Sequence, residues 1–155
     1  ALEGLDRGAR VEDALKRIHE AIIQSEKTHS GEIRFAVEAT LPMSYLRRDA
    51  PARERAVMMF AKLRVWDTEQ NAGVLVYLLL ADKRVEIVAD RGIHARVGEA
   101  AWEAICGTMD REFAAGRFES GVVTGVQAIS DLLATHFPPR GANPDELPNR
   151  PVVLE

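Results

Sequence analysis

Apolar and polar positions along this chain alternate with two different periods, and the stretch where alternation stops organises the rest. Residues 74–80, VLVYLLL, form an unbroken apolar run with no charge on either face. A strand reads this way only where both faces are covered. Residues 81–84, ADKR, are polar and short and predict a turn. Val85, Ile87 and Ala89 then alternate with Glu86 and Val88, the period of a strand with one wetter face. The two runs predict a β-hairpin whose first strand is central. Antiparallel pairing returns Asp90, Gly92 and His94 to the side of Asn71 and Gly73. Two polar, glycine-bearing loops meet at that corner, and the function is expected there.

Upstream, residues 1–10 show no strong period and read as a lead-in. From Val11, apolar residues at Ala14, Leu15, Ile18 and Ile22, with Ser25, mark one helix face, and Glu12, Lys16, Glu20 and Lys27 lie opposite. Residues 28–31, THSG, end it. Ile33, Phe35, Val37 and Ala39 alternate with Arg34, Ala36, Glu38 and Thr40, predicting a strand with a partly wet face. It stops near Leu41, because Pro42 lacks the N–H a ladder needs. Asp49 reads as a helix N-cap with Pro51 just inside the helix. Ala56, Met59, Phe60 and Leu63 mark that helix's buried face, and residues 67–72 break it. Strand, helix, strand is a βαβ unit, so its two strands run parallel. This sets Glu32 at the same end of the sheet as Asn71 and Asp90.

After Gly92, Val97, Trp102, Ile105, Met109 and Phe113 predict a third long helix, which Gly116 ends. Phe118, Val122, Val126, Ile129 and Leu133 predict a fourth. Gly121 and Gly125 sit one turn apart on it and predict close helix–sheet packing. The result is one α/β domain over residues 1–139: a βαβ unit, a β-hairpin and two helices, as a small mixed sheet with helices on both faces. Residues 140–155 are proline-rich and aperiodic, a tail that either docks or stays mobile.

Composition narrows the function without choosing it. The chain has 155 residues, enough for one domain with a real core. A net charge of −4 argues against non-specific nucleic-acid binding. The single cysteine, Cys106, excludes an internal disulfide. No apolar run approaches the ~20 residues needed to span a bilayer, and no signal-peptide pattern opens the chain. The cytoplasm is the expected compartment. The start at Ala1 instead of methionine leaves an upstream targeting segment open.

No nucleophile or phosphate motif stands out: G-x-S-x-G, the P-loop, H-E-x-x-H and C-x-x-C are all missing. Cys106, beside Ile105 and Met109, reads as a small buried filler. His19 and His136 read as structural or solvated, and Met58 and Met59 as core or rim. Arg47 and Arg48 would hold a phosphate or an acidic partner if they flanked a helix N-terminus, but a solvated pair is the plainer reading. The converging loops offer oxygen ligands: Asp67, Thr68, Asn71 and Asp90, with Glu32 at their edge. Ca²⁺ and Mg²⁺ prefer such oxygens, and His29 and His94 near the same edge would admit a transition metal. The DTEQN spacing lacks the glycine and closing glutamate of an EF-hand loop. On spacing alone, turn formation is the commoner role.

These residues resemble a known family. N-x-G-V-L opening an apolar strand, then D-R-G-I, is similar to the TPM domain, also called the TPM phosphatase domain, of bacteria and chloroplast thylakoid proteins. The matching stretches are SGEIRFAVE, TEQNAGVLVYLLL and VEIVADRGI, then W-E-x-I at 102–105 and F-x-x-G-x-x-x-G at 118–125. HFPP and ELPNRPVVL match near the end, so the resemblance covers nearly the whole chain. It is strongest to the compact bacterial branch without a membrane segment. The resemblance implies an α/β/α sandwich, divalent-cation binding and, in plant members, weak acid phosphatase activity with a role in photosystem II maintenance. Some bacterial members are encoded beside LemA-like membrane proteins, so the resemblance implies a protein partner, and a membrane-associated one. The family's polar loop carries consecutive asparagines before the glycine. Here Asn71 is kept, and Ala72 supplies no ligand. An acidic segment before the first helix has no match in residues 1–10.

Three readings follow, in order. The first is a divalent-cation module that binds Ca²⁺ or Mg²⁺ weakly and acts through partner proteins in assembly or maintenance. Asn71 and Asp90 would be its ligands, with Asp67 and Glu32 as outer candidates. The second is a weak metal-dependent acid phosphatase. The third is an ion-free structural or protein-interaction domain, docking by an apolar helix face or the tail. No nucleic acid and no membrane span are expected, and the oligomeric state is open.

Overall fold

Helix α1 spans Leu5–Ser25, and strand β1 follows at Glu32–Glu38. Next come α2 (Met43–Arg47), α3 (Ala52–Lys62), β2 (Gly73–Leu79) and β3 (Arg84–Ala89). Then come α4 (Arg91–Val97), α5 (Glu99–Ala114), α6 (Phe118–His136) and β4 (Val152–Leu154). The structure is a computed structural model that describes residues 5–139 and 151–154. The sheet order is β3-β2-β1-β4. β1 runs parallel to β2 and β4, and β2 runs antiparallel to β3. β2 is therefore interior, and every one of its residues is buried, as its apolar run requires.

The pleat divides the interior in two. Val74, Val76 and Leu78 of β2 join Ile33, Phe35 and Val37 of β1 in a core shared with α1, α5 and α6. Leu75, Tyr77 and Leu79 face the other way and pack with Ala36, Tyr45, Ala56 and Met59 under α2 and α3. Helices thus cover both faces, as expected for a three-layer α/β/α sandwich. No described helix is long and apolar enough to cross a membrane.

Several boundaries differ from the sequence reading, each for a local reason. The lead-in is helical from Leu5. β1 has no wet face: Arg34 alone in the strand is not fully buried. α3 lies over that face and brings Arg55 to pair with the buried Glu38. Asp49 is no N-cap. It takes a left-handed φ of 52° after the short helix α2, and its amide donates to Leu46 O. Pro51 occupies the N-cap position of α3 instead. The expected third helix is two, parted at Gly98, whose φ of 83° suits a residue without a side chain. Gly92 lies inside α4, not in a loop.

Gly121 and Gly125 admit a helix, not the sheet. A Cβ on Gly125 would stand 2.4 Å from Met109 Sδ, and one on Gly121 would stand 2.8 Å from Glu112 Cβ. Both contacts are with α5. At the end of the chain, Val152–Leu154 docks beside Ala36–Glu38 as β4. Elsewhere on that side of β1, the Ile33 amide donates to the Glu26 carboxylate at 3.2 Å.

Candidate functional site

The β1–β2–β3 register builds one end of the sheet from three neighbouring positions. Glu32 stands opposite Gly73, and Asp90 donates its amide to Gly73 O at 2.9 Å. Strand alternation sets these three on one face. Gly73 has to be glycine: a Cβ there would lie 2.0 Å from Val65 O. That carbonyl therefore sits over the row, between Glu32 and Asp90.

The segment linking Val65 to Gly73 is pinned by its own side chains. The Ala72 amide donates to Thr68 Oγ1 at 2.9 Å, and Ser30 Oγ donates to Gln70 Oε1 at 2.8 Å. Asn71 takes a left-handed φ of 53°, which asparagine tolerates better than most residues. The Gln70 and Asn71 carbonyls press against the first turn of α4. A Cβ on Gly92 would stand 2.7 and 2.6 Å from them.

Asp90 caps α4, accepting the Arg91 amide on Oδ1 at 2.8 Å. It is 8% exposed, and its Oδ2 is buried with no hydrogen-bond partner among the described residues. A carboxylate oxygen left this way is costly unless something positive or protic reaches it. Glu32 is 3% exposed. Asn71 is exposed at the rim. Asp67 is exposed too, with Oδ2 on Arg64 Nη2 at 3.2 Å. The structure therefore brings Glu32, Asn71 and Asp90 to one end of the sheet and holds Asp67 in an ion pair just before the turn. Among the described residues, no three His, Cys, Asp or Glu side chains form a metal-ligand group. A cation here would depend on carbonyl and amide oxygens and on water as well as on carboxylate.

The TPM domain model matches residues 11–132 of this chain. The chain belongs to the TPM domain family. It is similar to the BA42 protein of the psychrophilic bacterium Bizionia argentinensis, known from an NMR structure. The two share 32% identity and superpose with a TM-score of 0.81, covering 91% of this chain and 92% of that one. The N-terminal domain of a P. gingivalis protein, solved by solution NMR, shares the fold at 17% identity and a TM-score of 0.64. That match covers 82% of this chain and 80% of the other. No curated protein matches the chain significantly.

Within this TPM domain, His29 is not placed to ligate a transition metal. It is fully buried, and both ring nitrogens are engaged. The Gly31 amide donates to Nδ1 at 3.1 Å, so the neutral ring carries its proton on Nε2 and donates it to Ser25 Oγ at 2.9 Å. That polarity is the reverse of a nucleophile–base pair, in which the imidazole accepts from the hydroxyl. His94 is exposed on α4. Arg48 already pairs with Glu54 at 2.5 Å and stacks on Tyr45, so it is not held ready for an anion. Burial pushes the Cys106 thiol up to about 11, consistent with a filler that does not ionise near neutrality.

Burial also holds the His29 imidazole down at about 4, against an ordinary 6.5. The unfolded chain then binds that proton more tightly than the folded one. Stability is complete above pH 6.5 and is lost as pH falls toward 4, by about 3 kcal/mol for this group. Urea unfolding at pH 7, 5.5 and 4.5 reads the slope directly. His29→Gln should flatten it by about one proton; an unchanged slope would assign the acid sensitivity to other groups.

Proposed function

We propose that this TPM domain is a divalent-cation-binding module that acts through partner proteins. The observation that carries the reading is the buried Asp90 Oδ2, unpartnered among the described residues, at a corner crowded with backbone carbonyls. Hard cations such as Ca²⁺ and Mg²⁺ take such a set of oxygens. Asp90 would supply the charge and Asn71 a neutral oxygen, with Glu32 and Asp67 as outer candidates. When bound, the ion supplies positive charge that offsets the desolvation of the Asp90 carboxylate. Asp67 would have to leave Arg64 to contribute. Ala72 offers no side-chain oxygen, so water completes the shell and affinity is low, with a Kd on the order of 10⁻⁴–10⁻³ M. Asp90 also starts α4, so a ligand on its free oxygen would tie the residue 67–73 turn to that helix and fix one surface for a partner to read.

Titration of Ca²⁺ or Mg²⁺ against the ¹⁵N-labelled protein is expected to shift amides in residues 67–73 and 90–94. Asp90→Asn should abolish those shifts and leave the fold intact, because asparagine still caps the helix through Oδ1. Shifts centred on Arg47 and Arg48, or an Asp90→Asn protein that binds as well as the parent, would defeat the assignment.

A further inference from the structure

The outer edge of β3 borders a second site, which does not depend on the cation reading. A cleft of about 370 Å³ lies between that edge, Arg53 of α3 and the facing side of α5. The size falls within the range of ligand-binding pockets. Trp102, Cys106 and Asp110 follow one another at four-residue steps and so share one face of α5. The backbone edge behind them is occupied at one carbonyl. Arg53 Nη1 donates to Ile87 O at 2.5 Å.

Two buried polar atoms remain unused. Trp102 is 6% exposed, and its Nε1 has no hydrogen-bond partner among the described residues. The same is true of Asp110 Oδ1. A buried donor and a buried acceptor without partners cost stability until a ligand supplies both complements. The charge of the cleft sets the sign of that ligand. Four acidic groups line the cleft against two arginines, Arg84 and Arg53, which pair with Glu86 at 3.0 and 3.6 Å, so the lining is net negative. Asp110, Glu99 and Glu103 add negative charge to the lining. An anion is repelled, and a bare metal ion offers nothing to the indole N–H. An arginyl or lysyl residue within a peptide carries a cation at one end of a long side chain and a carbonyl at the other.

We propose that the β3–α5 cleft binds a basic peptide segment, with its cationic side chain on Asp110 and a backbone carbonyl on the Trp102 indole N–H. The full chain, ¹⁵N-labelled and kept in chelator to silence the cation corner, is titrated with acetyl-Gly-Arg-Gly-amide. The chain has two tryptophans. Trp66→Phe identifies the Trp102 indole signal, since Trp66 lies exposed against Arg64. The Trp102 indole signal should shift saturably, with a Kd on the order of 1 mM. Acetyl-Gly-Glu-Gly-amide should leave it in place. Asp110→Asn keeps the side chain's shape but removes the charge, and should weaken binding about fivefold or more. If that variant does not fold, Glu103→Gln, at an exposed position, tests the same charge. Equal shifts from the glutamyl peptide, an indole signal that does not move with the arginyl peptide, or unchanged affinity in the charge variant would each overturn the proposal.

Discussion

Replacing Leu78 with alanine is expected to lower the unfolding free energy by about 2–5 kcal/mol, the range for a fully buried leucine whose cavity cannot collapse. Leu78 is 1% exposed. It lies in the interior strand, paired with Val37 of β1 on one side and Val85 of β3 on the other. Both neighbours are ladder positions fixed by backbone bonds, so neither can move in to fill the space. A domain of this size has about 5–15 kcal/mol of stability in all, so the variant gives up a large share. Val57→Ala is the control: Val57 is 49% exposed on α3, and the change should stay within about 0.5 kcal/mol. Urea midpoints at fixed slope decide it. A loss at Leu78 below about 1 kcal/mol would mean that β2 does not carry the core.

The second large effect is expected at Arg55. Its Nε and Nη2 donate to the two Glu38 carboxylate oxygens at 2.9 and 3.0 Å, and Tyr77 Oη donates to Glu38 Oε1 at 2.7 Å. Glu38 and Tyr77 are buried, and burial, with the Glu38 bond, pushes the Tyr77 phenol well above its ordinary range. Arg55→Met strands the carboxylate with one neutral donor and should cost about 3–5 kcal/mol. Removing the whole group together, as Arg55→Met, Glu38→Leu and Tyr77→Phe, should recover most of that loss, because no buried charge is left unanswered. A triple variant as unstable as the single one would show that packing, and not the stranded charge, sets the cost.

Where sequence and structure agree, the signal is local and periodic. VLVYLLL can hardly be anything but a strand covered on both faces, and the short polar turn after it fixes the hairpin register. That register, with the βαβ crossover, is enough to bring Glu32, Asn71 and Asp90 to one end of the sheet. The failures involve partners distant in sequence. Glu38 looks solvent-facing until Arg55 is known to reach it from the next helix. Gly121 and Gly125 signal close approach, but the sequence does not say whether sheet or helix approaches. Three residues of β4 are too few to show a period, and their partner strand lies more than a hundred positions earlier. The β3 cleft was hidden for the same reason. Trp102 and Cys106 count as apolar in a helical pattern, and the unused indole N–H shows only once α5 is laid against β3.

The side chains that cap the sheet's margins have a consequence for the protein in bulk solution. An open sheet ends in rows of unsatisfied amides and carbonyls, which can recruit strands from other molecules. Here Arg53 of α3 answers the Ile87 carbonyl on one margin. On the other, Glu26 answers Ile33, and β4 covers Ala36–Glu38. Arg53 belongs to α3 and Glu26 directly follows α1, so both are in place whenever the fold is. These contacts leave fewer open backbone groups on β1 and β3 for a strand of another copy to pair with.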